Sequence, residues 1–139
     1  MRFFFQLFLN LHILIYRISG GKLANKMVNM EVLILHSIGR KTGKKRVIPI
    51  TYFKENDDYI LTASNGGAPK NPGWYHNLKN NPQTVIEINN KTIPVTARQA
   101  SPQEKERLWA KLITITDQYK KYKNRTNRDI PMMILTPNT

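Results

Sequence analysis

Six short, mostly apolar runs, most of them closed by glycine, proline or an asparagine/aspartate pair, limit what this chain can become. They span 31–38, 47–54, 59–63, 84–88, 92–98 and 131–136. Runs of that length, rich in β-branched residues and cut by turn residues, form strands rather than helices. Glu55-Asn56-Asp57-Asp58 and Asn89-Asn90 have the composition of hairpin turns, so successive strands run antiparallel. Pro49 puts the second strand at an edge or a bulge, because proline has no N–H to give to a ladder. With two or three helices between them, such strands predict a small β-barrel of α+β class.

The helices have clearer starts than ends. Ser101-Pro102-Gln103-Glu104 combines an N-cap serine, a proline at the first helical position and a capping-box glutamate. Leu108, Leu112 and Ile115 continue it at helical spacing. Beyond it, Tyr119 and Tyr122 share one face if that segment is helical. Trp74 to Lys79 predicts a short helix stopped by Asn80-Asn81-Pro82. Phe3 to Tyr16 predicts a helix with Arg2, Gln6, Asn10 and Arg17 near one face and a broad apolar remainder, ended by Ser19-Gly20-Gly21. Such a helix reaches roughly 21 Å, short of the ~30 Å hydrocarbon core, so it packs or lies at an interface rather than spanning. The expected division is an N-terminal amphipathic helix over 1–20 and a barrel over 21–139. No linker divides the chain further.

Composition narrows the chemistry. The chain has no cysteine, which excludes disulfides, thiolate zinc sites and cysteine nucleophiles. His12, His36 and His76 lack metal-ligand spacing, so no metal site is expected; His36, in an apolar strand, fits a core position. No serine sits on a nucleophile elbow, and the few carboxylates form no acid/base array. Bound-cofactor chemistry remains, in which protein groups mainly orient. The net charge of +13 calls for an anionic partner. Its basic residues concentrate in Arg40, Lys41, Lys44, Lys45 and Arg46, and again in Lys120, Lys121, Lys123, Arg125 and Arg128, as two walls of one groove would. Between them, Ser64-Asn65-Gly66-Gly67-Ala68-Pro69 offers positive-φ glycines, backbone N–H donors and a close approach for a flat ligand. Trp74, Tyr75, His76 and Asn77 follow with stacking area and polar tips.

Gly39-Arg40-Lys41-Thr42-Gly43 with Arg46, the run Ala63 to Pro69, Pro72-Gly73-Trp74-Tyr75-His76-Asn77-Leu78, and Tyr119-x-x-Tyr122 before Arg125-Thr126 stand in an order and spacing that resemble the deazaflavin-dependent nitroreductase family, within the flavin/deazaflavin split-barrel superfamily. The resemblance covers nearly the whole chain. It implies a single-domain, six-stranded split β-barrel that uses reduced coenzyme F420, whose tail carries phosphate and polyglutamate. It also implies hydride transfer to an electron-poor acceptor such as a quinone or nitroaromatic. Arg40, Lys41 and Arg46, with Thr42 and Gly43 in the same turn, match the tail-phosphate positions. Ser64, Asn65, Gly66, Gly67 and Ala68 match the loop along the ring. Trp74 matches a pocket-shaping tryptophan beside Tyr75, His76 and Asn77, and Tyr119 and Tyr122 match tyrosines on the substrate side. Thr116 stands where some members carry a further tyrosine, and Asn65 where some carry lysine.

The absence of cysteine fits a cytoplasmic protein, and the resemblance further implies peripheral contact, on the inner face of the membrane, through the N-terminal helix. Two other readings stay open at this point. One is a non-catalytic carrier of the same fold for FMN, haem or a fatty acid, with FMN as the alternative cofactor. The other, nucleic-acid binding, rests on charge alone and lacks a recognisable module.

Overall fold

A computed structural model describes residues 2–18, 26–27 and 30–138. The chain order is α1 (Arg2–Ile18), β1 (Lys26–Met27), β2 (Met30–Ile38), β3 (Lys45–Glu55), β4 (Asp58–Thr62), a 3-10 turn (Asn65–Gly67), α2 (Gly73–Asn80), β5 (Gln83–Ile88), β6 (Lys91–Gln99), α3 (Pro102–Ile115), α4 (Gln118–Asn124) and β7 (Met132–Pro137). The six expected strands are all present. The two-residue β1, paired with β2 through Met27 and Met30, was not legible as a strand. The expected stop at 19–21, and with it the domain boundary, lies outside the described residues.

The strands run β2-β3-β4-β7-β6-β5, all antiparallel, and β5 returns to β2 through Ile34↔Glu87 and Leu35↔Ile86. That closes a barrel. Residues 45–52 of β3 pair with β2 alone, and only 53–55 pair with β4. Pro49 lies in the singly paired half, opposite Ile34, where one missing N–H is tolerated. The expected edge position is therefore correct.

Alternation sorts the side chains. Leu33, Leu35, Tyr59, Leu61, Ile86, Met133 and Leu135 point into the barrel, where α2 adds Trp74, Tyr75 and Leu78. Ile60, Met132 and Ile134 point outward beneath Leu108 and Leu112 of α3 and Tyr119 of α4. Ile34 also points outward, under Ile13 and Tyr16 of α1. Burial on both faces explains why these strands are apolar at every position rather than at alternate ones. The α3 start is as the sequence predicts: Ser101 Oγ accepts from the Glu104 N–H, and the Glu104 carboxylate accepts from the Ser101 N–H. The Arg98 guanidinium, foremost, and that backbone N–H hold the Glu104 carboxyl down to about 2.

Helix α1 departs from expectation. Arg17 faces the barrel, while Leu7, Phe8, Leu11 and Leu14 are each more than half exposed. Arg17 donates to both Glu87 oxygens at 3.0 and 2.6 Å, and His36 Nε2 lies against the same carboxylate. Burial acts to raise the Glu87 pKa, but the bonds from Arg17 and His36 outweigh it and hold the group below its ordinary value. A depressed carboxyl stabilises the fold above its unfolded-state pKa of about 4.3, and that stabilisation is lost as pH falls through the folded value. Glu87→Gln is expected to cost about 1–3 kcal/mol in urea unfolding at pH 7. The gap to wild type should close below about pH 4. A gap undiminished in acid would show that the charge of Glu87 is not what fastens α1.

Candidate active site

The turn between β2 and β3 is a small closed structure. Gly39 N–H donates to Lys44 O and Gly43 N–H to Gly39 O, both at 2.8 Å, while Thr42 Oγ1 accepts from Lys44 N–H. Gly43 has φ of +72°, a left-handed value that suits glycine. Arg40, Lys41, Lys44 and Arg46 are exposed around it, and none of them has a carboxylate partner among the described residues. Several like charges crowded on one turn repel each other until an anion arrives.

Helix α2 carries the connection to this turn. Asn77, 7% exposed, accepts from the Arg40 N–H at 3.0 Å and donates from Nδ2 to Ser37 Oγ at 3.3 Å. Both ends of one amide are thus used to hold the turn against the barrel. His76 stands beside it with its pKa lowered, first by burial and then by Arg40, Lys79 and Lys41, so it is neutral at pH 7. Trp74 and Tyr75 form the inner wall, with Tyr75 OH donating to Gln99 Oε1 at 2.8 Å.

The loop after β4 is the second half of the site. Ser64 is buried in the αR region, and Asn65, Gly66 and Gly67 follow with φ of 49°, 64° and 81°. Gly67 does not offer a free N–H as expected: it donates to Ser64 O at 2.9 Å. The close approach its missing side chain permits is to the protein's own α4, since a Cβ there would lie 2.6 Å from Tyr122 O. Gly66 has open space around the same position.

Helix α4 bridges this loop and β3. Tyr119, 4% exposed, shares a 2.6 Å hydrogen bond with Thr51 on the singly paired half of β3, and burial raises its pKa, so the phenol is neutral. Tyr122 packs edge-on against Tyr119 at 5.5 Å. Thr116 does not face a ligand through its hydroxyl, which accepts from Gln118 N–H between α3 and α4.

Three of the five residues of the second basic cluster are engaged within the protein, while Lys120 and Lys121 are exposed. Lys123 lies over Trp109, Arg125 lies over Tyr122, and Arg128 is committed to the loop. The Arg128 guanidinium donates to Ala68 O and Ala63 O at 3.2 Å, to Ser64 O at 2.8 Å and to Asn71 Oδ1. In the sequence Arg128 reads only as charge, and nothing there marks Thr51 or Asn71. A cleft of about 420 Å³ opens on the far side of Arg128, between Gln99, Trp109 and Lys123, and contains none of the expected site residues.

The arrangement thus joins an unpaired cationic turn, a positive-φ loop and an aromatic helix along one side of the barrel. Comparison with known proteins identifies the family. A family model described as F420H(2)-dependent quinone reductase matches residues 9–137. An F420H(2)-dependent quinone reductase of Mycobacterium tuberculosis is 39% identical over 132 residues, covering 92% of this chain and 89% of its own. A solved F420-H2 dependent reductase superposes with a TM-score of 0.67 at 36% identity, over 75% of this chain and 92% of the other. A solved chain described as a domain-swapped dimer gives 0.70 at 32% identity, over 91% and 92%. Fold and site together define a split-barrel oxidoreductase. The chain belongs to the F420H(2)-dependent quinone reductase family, and its cofactor is coenzyme F420.

Gly67→Ala is expected to lose about 2 kcal/mol or more, from the left-handed φ and from the collision with α4. Gly66→Ala meets only the φ cost of about 1 kcal/mol. Urea unfolding of the two variants compares them directly, and equal losses would show that the contact with α4 carries no stability.

Proposed function

We propose that this chain transfers a hydride from reduced F420 to a quinone, with the cofactor's tail on the Arg40–Arg46 turn and its ring along Ser64–Ala68. The observation that carries this reading is the unpaired cationic turn clamped by Asn77 beside the glycine loop. Reduced F420, when bound, supplies the hydride. The remaining work is positioning, and it falls to the chain's own residues. Arg40 and Arg46 suit bidentate hydrogen bonds to phosphate, and Lys41 adds a point charge. Neutral His76 can accept or donate a hydrogen bond without adding a further cation. Trp74 gives the pocket an apolar inner wall. Tyr122, half-buried, lines the acceptor side, and Tyr119 fixes its ring from behind. Holding the two reactants face to face and dry supplies most of the rate. A nitroaromatic has the same flat, electron-poor character and suits the same space.

We assign the outer face of α1 to the surface of an anionic membrane on its inner side, where quinones reside. Leu7, Phe8, Leu11 and Leu14 form an exposed apolar row on a strongly basic protein, the combination that binds such surfaces. Helix α1 has 17 residues, and no described helix is long and apolar enough to cross a bilayer.

Fluorescence titration with oxidised F420, run beside FMN, tests the cofactor placement. Arg40→Ala with Arg46→Ala should weaken F420 binding by about tenfold to a hundredfold per lost charged contact, with urea unfolding unchanged. Unaltered affinity would remove the turn from the site. Sedimentation with phosphatidylglycerol vesicles tests the membrane assignment. Wild type should pellet, and the Phe8→Asp, Leu11→Asp double variant should stay in solution; equal pelleting of both would overturn it.

A further inference from the structure

We infer that Arg128 is a positioning residue: it aims the backbone N–H groups of Ser64 and Asn65 by gripping the opposite edge of the same peptides. The inference rests on the assignment of this loop to the cofactor ring. The peptide joining Ala63 to Ser64 and the one joining Ser64 to Asn65 both turn their carbonyls to the Arg128 guanidinium, at 3.2 and 2.8 Å. No cis peptide occurs in the described residues, so planarity sends the Ser64 and Asn65 N–H groups the other way. Neither N–H has an acceptor among the described residues. Ser64 in the αR region followed by left-handed Asn65 gathers successive N–H groups into a concavity, the kind of backbone nest that receives electron-rich oxygen or nitrogen.

Three carbonyls and the Asn71 amide, spread over residues 63 to 71, converge on this one side chain. A planar fork of donors can serve them together; a lysine ammonium serves fewer and from a single point. Loss of the fork frees the peptides to rotate, and the donors then lose their common direction. Asn65 holds its left-handed φ of 49° at some cost, which makes release more favourable. Arg128 itself lines the neighbouring cleft, so a small solute can reach the space its side chain would vacate.

The test uses Arg128→Ala and Arg128→Lys in the full chain, with three readouts. The first is amide hydrogen exchange in the cofactor-free protein. Exchange at Gly67 and Ala68, whose N–H groups donate to Ser64 O and Asn65 O, is expected to rise about tenfold or more, with the barrel strands unchanged. The second is affinity for oxidised F420 and for the deazaflavin ring bearing only its ribityl chain. Arg128→Ala should weaken both by a similar factor of about ten, whereas Arg40→Ala should weaken F420 alone. The third is rescue: low-millimolar guanidinium, entering through the cleft, should restore ring affinity to Arg128→Ala. Should that variant fail to fold, Arg128→Lys carries the first two readouts. Wild-type exchange and affinity in the variants would overturn the inference, as would faster exchange spread evenly over the barrel. Wild-type protein that binds neither deazaflavin would instead overturn the placement of the ring on this loop, and the inference with it.

Discussion

Along residues 45–52, β3 has a strand on one side only, and the rest of the molecule is arranged around that free edge. Backbone groups left unpaired in a sheet must be covered or used. Here the cover comes from elements distant in sequence. Helix α1 packs beside Val47, and α4 reaches Thr51 through the Tyr119 hydroxyl. The basic turn sits at the Lys45 end of that edge, and the loop after β4 is joined to it through Tyr122 and Tyr119 of α4. The split in the barrel is thus where these elements meet.

Charge follows the same economy. Nine acidic residues face 22 basic ones, and the acids are largely spent on fastening elements together. Glu87 holds α1, Glu104 caps α3 and meets Arg98, Glu55 meets Arg107, Asp129 meets Lys105 and Glu31 takes the Tyr52 hydroxyl. Those are five of the nine, and none of the nine forms an ion pair with the turn at Arg40 among the described residues. The excess of positive charge therefore stays uncompensated at that turn.

The strands were legible because burial on both faces writes itself as unbroken apolar runs, and α3 was legible because its cap uses neighbours in the chain. The face of α1 was not legible. Arg17 is drawn inward by Glu87, 70 residues away, and no local periodicity carries that information. Gly66 and Gly67 are adjacent and alike in sequence, yet only the second meets Tyr122 O, a distinction that needs the third dimension. The task of Arg128 was hidden for a related reason. It acts on carbonyl oxygens, which every residue has, so no pattern of side chains announces the partner.

One further consequence lies in the division of labour within the loop. Gly67 and Arg128 fix the course of the backbone, while positions 65 and 66 are exposed and the space around Gly66 is open. A scaffold pinned at two points and unencumbered between them can change what it presents without changing its shape. Open space is not freedom, however: positions 65 and 66 hold left-handed φ of 49° and 64°, which asparagine, aspartate and glycine adopt more readily than other residues. What the loop can present between its two fixed points is therefore limited by backbone conformation, whereas at 67 it is limited by contact with Tyr122 O as well.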